Sequence, residues 1–239
     1  MGSGHMVDLP YGLDQKEPSI LKYMQSNPSL MSFSGDKLLG SVQAGIIIGK
    51  KELIARLKKN QLLRMLRVDK LTLALLEENV KSLLLGNMDE IPTLRMLFTP
   101  VETLTQRAQE LQEKINDFCT TKIIDTQTVI GGGTTPNQKI PTVALSLEFN
   151  NYKPNKIEQL LRKQNLVGRI ENDKFLLDFR TIKTSDMKRI EDIINKVMNK
   201  ETLNLLENVE SLTKLAHEGL CNGYYFGSTG SRYHGRDEI

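Results

Sequence analysis

The sequence Ser34-Gly35-Asp36-Lys37-Leu38-Leu39-Gly40 places a lysine in a glycine-bounded turn between two short apolar runs. The runs cover residues 30–33 and 44–49, and the second is rich in β-branched side chains. Short apolar runs of this kind are typical of buried strands, so we expect Lys37 to follow a strand on a rigid turn. A lysine amine that is held there and partly desolvated can lose its proton near neutral pH and attack a carbonyl group. The alternative is a solvated turn lysine without a chemical role.

The composition indicates a globular protein without a membrane span. The 239 residues carry a formal net charge of +3, with 39% hydrophobic and 26% charged residues. Only two cysteines and three histidines are present. This disfavours disulfides and metal sites and fits a reducing, cytoplasmic setting. The mild charge permits contact with RNA without requiring it, and the 5% aromatic content supplies few side chains for stacking on bases.

The first half of the chain has the pattern of helices around the strand–turn–strand unit. Apolar spacing and end signals predict helices at residues 18–26, 50–59, 68–85, 91–98 and 100–119. We expect Gly86 to end the third helix as a left-handed cap, and Glu77 and Lys81 to form an i,i+4 pair within it. Thr99 is expected to cap the helix that begins at Pro100. Arg95, between two apolar residues, is interpreted as a buried ion-pair partner rather than a ligand.

The pattern changes after residue 119 and predicts a small, mainly antiparallel sheet. Strands are expected at residues 122–124, 128–130 and 142–149, followed by a helix from Pro154, a hairpin at 167–179 and a helix at 185–198. The fold class is therefore α/β. We expect a cloning scar at residues 1–6, which does not enter the fold prediction. The other predicted units are residues 7–99, a small C-terminal domain at 100–199, and a helical tail of unclear origin at 200–239.

Several motifs, taken in order, carry a resemblance to a known family. The chain resembles bacterial selenocysteine synthases, the L-seryl-tRNA(Sec) selenium transferases, over roughly residues 7–198. The motifs are found at residues 33–40, 43–47, 49–52, 66–74, 90–97, 131–133, 141–145 and 168–171. One departure lies beside the lysine, where Ser41-Val42 stands in place of the usual Gly-Pro.

The resemblance implies a fold-type I pyridoxal-phosphate enzyme, with residues 7–99 as the remnant of its large domain. It implies that Lys37 is the Schiff-base lysine, that Asp36 orients the turn, and that Ser34 donates to the cofactor phosphate. The alternatives are that Asp36 only caps backbone amides and that Ser34 only stabilises the turn. The resemblance also suggests that Arg64 and Arg67 bind the anionic selenium donor. Their alternative role is a solvated helix start with ion pairs.

The resemblance also suggests that the chain is a carboxy-terminal fragment. In fold-type I enzymes the other cofactor groups come mostly from sequence before the lysine, and only about thirty native residues precede Lys37 here. We therefore expect this piece to be inactive in isolation. Near the end, residues 230–234 resemble a motif from the amino-terminal half of the family, which would make Arg232 a substrate-facing residue. The alternative for this segment is a polar terminus.

The implied function is the conversion of seryl-tRNA(Sec) to selenocysteinyl-tRNA(Sec) with selenophosphate, by a cytoplasmic homo-oligomer that uses pyridoxal phosphate and no metal. Two alternatives stay open. The chain could belong to another fold-type I lyase or aminotransferase with a small amino-acid substrate. It could also be a non-catalytic module for oligomerisation or tRNA contact.

Overall fold

The computed structural model describes residues 2–115, 119–131, 138–149 and 152–198. The elements in this part of the chain follow one another as α1 (Leu13–Lys16), α2 (Ile20–Met24), β1 (Leu30–Ser34), β2 (Gly45–Gly49), α3 (Lys51–Lys59), α4 (Leu63–Leu66), α5 (Lys70–Leu84), α6 (Pro92–Phe98), α7 (Val101–Ile115), β3 (Thr120–Val129), β4 (Lys139–Glu148), α8 (Pro154–Lys163), β5 (Arg169–Glu171), β6 (Lys174–Asp178) and α9 (Met187–Met198). Short 3-10 turns at Met88–Glu90 and Thr184–Asp186 precede α6 and α9. In these residues no helix is long and apolar enough to cross a membrane. The predicted tail at residues 200–239 lies outside the described ranges.

The strand–turn–strand unit is present, and its two strands pair with each other. β1 and β2 are antiparallel, with a register that runs from Leu30 opposite Gly49 to Ser34 opposite Gly45. The strands are less buried than predicted, because Phe33 is the one residue of β1 and β2 that lies fully in the core. A two-stranded sheet covers little of its own surface, so its isoleucines stay partly or largely exposed.

Residues 2–6 belong to this unit, so leaving them out of the fold prediction was wrong. Ser3 and His5 are buried. The Ser3 carbonyl accepts a hydrogen bond from Leu38 N–H at 2.9 Å, and the His5 carbonyl accepts one from Ile20 N–H at 3.0 Å. Backbone pairing of this kind fixes the segment against the lysine turn and against the start of α2.

Local end signals set the limits of α5, the longest helix before residue 100. Asp69 caps α5 by accepting a hydrogen bond from Thr72 N–H at 2.8 Å. Gly86, with a φ of 77°, ends the helix in the left-handed conformation, as predicted. The predicted pair of Glu77 and Lys81 is also confirmed, with the charged atoms 3.1 Å apart.

The cap predicted for the next helix was wrong. Thr99 is the C-terminal cap of α6, and its hydroxyl donates to the carbonyl of Arg95 at 2.6 Å. α7 starts at Val101, and Leu104 N–H donates to the Pro100 carbonyl. A threonine hydroxyl between two helices can accept from an N–H group of the following helix or donate to a carbonyl of the preceding one. Here it donates to the preceding helix.

The second unit is a four-stranded antiparallel sheet with helices packed against it, which confirms the predicted α/β class. The strand order is β3-β4-β6-β5. Alternate residues of β4 and β6 face α7, α8 and α9 and form the largest core, which includes Val143, Leu145, Phe175 and Leu177. The hairpin predicted at residues 167–179 is present as β5 and β6. The short strands predicted at residues 122–124 and 128–130 are one continuous strand, β3.

A smaller core connects the lysine turn to the rest of the chain. Leu38 packs with Ile91, Leu94 and Leu97 of the α6 region and with Ile140 of β4. The neighbouring side chain, Leu39, enters a separate cluster with Ile20 and Phe33. Burial of two adjacent leucines in different clusters holds the backbone of the turn from both sides.

Candidate functional site

The turn that carries Lys37 is closed by backbone hydrogen bonds and by close packing at its glycines. Gly35 N–H donates to the Ala44 carbonyl at 2.8 Å, and Gly40 N–H donates to the Lys37 carbonyl at 2.9 Å. Gly40 has a φ of 74°, and a Cβ atom there would lie 2.4 Å from Cγ2 of Ile91. A larger residue would therefore be strained and would displace the packed side chain. The lysine is presented from a rigid base.

The structure brings Ser34, Asp36 and Lys37, the three site residues predicted in the turn, into one group. The Lys37 side chain is 33% exposed, and its Nζ lies 3.9 Å from Oδ1 of Asp36. The Ser34 hydroxyl donates a short hydrogen bond to the same carboxylate. This hydrogen bond is the main reason why the pKa of the Asp36 carboxyl lies below its usual value, and the Lys37 charge adds to the effect. A fixed negative charge therefore stands beside an accessible amine.

Arg64 and Arg67 line a surface depression together with Lys58, Asn60 and Gln61. Arg64 belongs to the single turn of α4, and Arg67 follows as its C-terminal cap, in extended conformation. The alternative with ion pairs finds no support here, because neither guanidinium has a carboxylate partner in the described residues. Asp69, the acidic residue nearest to Arg67 in sequence, caps α5 instead.

Two further arginines singled out from the sequence are not brought into this site. Arg95 is half-buried on α6, and its Nη1 donates to the backbone carbonyl of Asp89 at 3.2 Å. Its predicted ion pair is absent from the described residues, so that interpretation was wrong. Arg232 lies outside the described residues.

Arg180 is the buried charge that the sequence interpretation missed. Arg180 is 4% exposed and lies two positions after the end of β6 at Asp178. Nη1 donates to the carbonyls of Met96, Leu97 and Thr99, at the C-terminal end of α6. Nε and Nη2 donate to the carbonyl of Pro141. The available signal was an arginine immediately after the buried run of β6, where a charged residue needs an internal partner.

Tyr11 completes the surroundings of this arginine. Its ring centroid lies 5.4 Å from the Arg180 guanidinium carbon, and its hydroxyl oxygen lies 3.3 Å from Nη2. The guanidinium therefore joins the N-terminal segment, α6 and the second sheet, and the oriented carbonyls at the helix end complement its charge.

Comparison with known families covers the part of the chain that carries the lysine turn. The sequence model of the family described as "SelA: L-seryl-tRNA selenium transferase" matches residues 1–183, which include the turn and both arginines of the depression. The chain belongs to the L-seryl-tRNA selenium transferase family. The match begins at residue 1, so it also includes the segment whose backbone pairs with the lysine turn.

Curated relatives extend the comparison over most of the chain. The L-seryl-tRNA(Sec) selenium transferase of Sulfurimonas denitrificans is 65% identical over 199 residues, which is 83% of this chain and 44% of the relative. That of Aliarcobacter butzleri is 66% identical over 197 residues, again 44% of its length. The chain thus spans less than half the length of these relatives.

Among solved structures, ornithine delta-aminotransferase of Plasmodium falciparum is similar over 74% of this chain and 41% of its own. The sequence identity is 16% and the TM-score is 0.30, which is too low to carry a conclusion.

Proposed function

We propose that the full-length protein is a cytoplasmic, pyridoxal-phosphate-dependent enzyme that converts seryl-tRNA(Sec) to selenocysteinyl-tRNA(Sec) with selenophosphate. The observation that carries this proposal is the family match over the lysine turn, together with curated relatives of 65% and 66% identity that bear this activity in their names. These relatives favour a selenium transferase over a lyase or an aminotransferase acting on a free amino acid.

The residues of the turn fit a covalent anchor for the cofactor. Pyridoxal phosphate, when bound, supplies a reactive aldehyde and an electron-withdrawing ring. Lys37 would hold it through Nζ, because this amine is accessible and its backbone is fixed by buried neighbours on both sides. The same nitrogen can accept and return a proton during the reaction. Asp36 would position the lysine, and Ser34 is proposed as a donor to the cofactor phosphate.

Arg64 and Arg67 are proposed to bind the selenium donor. Two guanidinium groups offer forked pairs of N–H donors that match the oxygens of a phosphate-type anion. Both side chains are exposed, line one depression and have no carboxylate partner in the described residues. Arg232 is proposed as a substrate-facing residue on sequence resemblance alone.

We also propose that the protein acts as a homo-oligomer. Large apolar side chains stand exposed along α4 and α5, among them Leu66, Leu71 and Leu84, the last at 82% exposure. Large apolar side chains left exposed on neighbouring elements are typical of protein–protein contact. Light scattering on the full-length protein should give a mass that is a multiple of the protomer mass.

The functional test is turnover of seryl-tRNA(Sec) by the full-length protein with selenophosphate. Lys37→Ala should reduce the rate by at least ~10³-fold, because it removes the amine proposed to anchor the cofactor. Lys50→Ala, which removes an exposed lysine before α3, is the matched control and should leave the rate unchanged. Turnover of free serine in place of seryl-tRNA(Sec) would instead support the lyase or aminotransferase alternative.

The arginine assignment needs a second pair of variants. Arg64→Ala should raise the KM for selenophosphate by roughly 10-fold or more, the value of one charge-assisted hydrogen bond. Arg56→Ala, on the exposed surface of α3, is its control. Equal effects of the two variants would remove Arg64 from the site.

A further inference from the structure

A second cationic pocket lies where the junction of α6 and α7 meets the segment that follows β6, and no residue of the lysine turn lines it. It is a pocket of about 230 Å³. Four of its lining side chains are positively charged, namely Arg95, Arg107, Arg180 and Lys183. The lining contains no acidic side chain. The nearest acid in sequence, Asp186, follows the lining residue Ser185 but is not itself part of the wall.

The positive charges around the pocket are not balanced by carboxylates within the described residues. Arg107 is half-buried and has neither a hydrogen bond nor an ion pair there. Arg95 makes a single hydrogen bond, to a backbone carbonyl. Arg180 directs its donors to carbonyls and the Tyr11 hydroxyl, so it adds charge to the pocket rather than free donors. Like charges that converge on a partly desolvated space repel one another, and a bound anion would offset this repulsion.

Neutral donors also line the pocket. Thr184 and Ser185 lie in the 3-10 turn that leads directly into α9, a helix of 12 residues. Their hydroxyl groups can donate to an anion. The start of a helix also favours negative charge, which reinforces the effect of the arginines.

We propose that this pocket binds a tetrahedral oxyanion of the phosphate class. Its volume lies below the ~300 Å³ at which pockets for drug-sized ligands begin, so it suits a single phosphate group rather than a whole nucleotide. Arg107 supplies the free forked donors, Arg95 and Lys183 add charge, and the hydroxyl groups fix the orientation. The group can be a free phosphate ion or a phosphodiester of an RNA backbone. This site does not involve Lys37, so it goes beyond the proposed function and stands or fails separately from it.

The test is calorimetric titration of the 239-residue chain with inorganic phosphate and, separately, with a short oligoribonucleotide that lacks terminal phosphates. Arg107→Gln removes the free guanidinium while keeping a side chain of similar length. Arg189→Gln is the matched control, because Arg189 is exposed on α9 and does not line the pocket. Circular dichroism should show that both variants keep the fold.

We expect saturable binding that Arg107→Gln weakens by about tenfold, equivalent to about 1.4 kcal/mol, and that Arg189→Gln changes by less than twofold. Binding of inorganic phosphate alone identifies the ligand as a free phosphate. Binding of the oligoribonucleotide that phosphate displaces, with the same dependence on Arg107, identifies an RNA backbone. Absence of saturable binding of either probe, or equal losses in the two variants, overturns the proposal.

Discussion

Replacement of Arg180 by methionine should be among the most destabilising single changes in the chain. Methionine has a similar length but no donor, so the carbonyls at the end of α6 and the Pro141 carbonyl lose their partners. A buried acceptor left unsatisfied costs about 1–3 kcal/mol. With two separate groups of acceptors at ~2 kcal/mol each, we expect a loss of about 4 kcal/mol in the free energy of unfolding.

The assay is thermal and urea unfolding followed by circular dichroism. A loss of about 4 kcal/mol corresponds to a fall in Tm of roughly 8–16 °C for a protein of this size. Arg162→Met is the control, because Arg162 is exposed and forms an i,i+4 pair with Glu158, so its loss should cost at most ~0.5 kcal/mol. Arg180→Lys keeps the positive charge but loses the forked N–H donors, so its free energy of unfolding should lie between those of Arg180→Met and the control. If the free energy of unfolding of Arg180→Met lies within ~1 kcal/mol of that of the control, the carbonyl contacts do not hold the two units together.

Three further predictions concern single side chains. Ser34→Ala should move the pKa of the Asp36 carboxyl back towards its usual value. A lowered carboxyl pKa stabilises the fold at any pH above the usual pKa, and this stabilisation is lost as the pH falls through the lowered pKa. The variant should therefore lose less stability on acidification than the unchanged protein. An NMR titration of Asp36 checks this, and an unchanged pKa would contradict it. Burial raises the pKa of the Cys119 thiol to about 11, so iodoacetamide should label it at pH 8 only after unfolding, as peptide mass spectrometry can show; rapid labelling of the native protein would be inconsistent with that burial. Asn172 and Asp173 have φ values of 49° and 56°, so Asp173→Gly should stabilise the hairpin by about 0.5 kcal/mol, and a lower Tm would argue against this turn geometry.

The parts of the fold that the sequence predicted well are those fixed by local chemistry. Gly86 ends α5 because its backbone adopts a conformation that glycine tolerates, and Pro154 begins α8 because its fixed φ suits the first helical position. The continuous strand β3 was predicted as two pieces because Asp125 and Gln127 interrupt its apolar pattern. In the structure these residues pair with Val143 and Pro141 of β4, so the ladder with a neighbouring strand overrides the local pattern.

The same distinction applies to the candidate sites. The turn of Lys37 was predictable because the backbone hydrogen bonds that close it on itself are made within residues 35–44. The contacts of Arg180 are with residues between 39 and 169 positions away, and no local pattern brings them together. The cationic pocket likewise draws Arg107 and Lys183 from separate elements, and only the tertiary arrangement shows that they face one space.

The most direct test of the central claim is borohydride reduction of the full-length protein in the presence of pyridoxal phosphate, followed by peptide mass spectrometry. The proposal predicts a phosphopyridoxyl group on Lys37 and its loss in Lys37→Ala, with Lys50→Ala unaffected. A reduced adduct on a different lysine, or none on the intact protein, would contradict the assignment of this turn as the cofactor anchor.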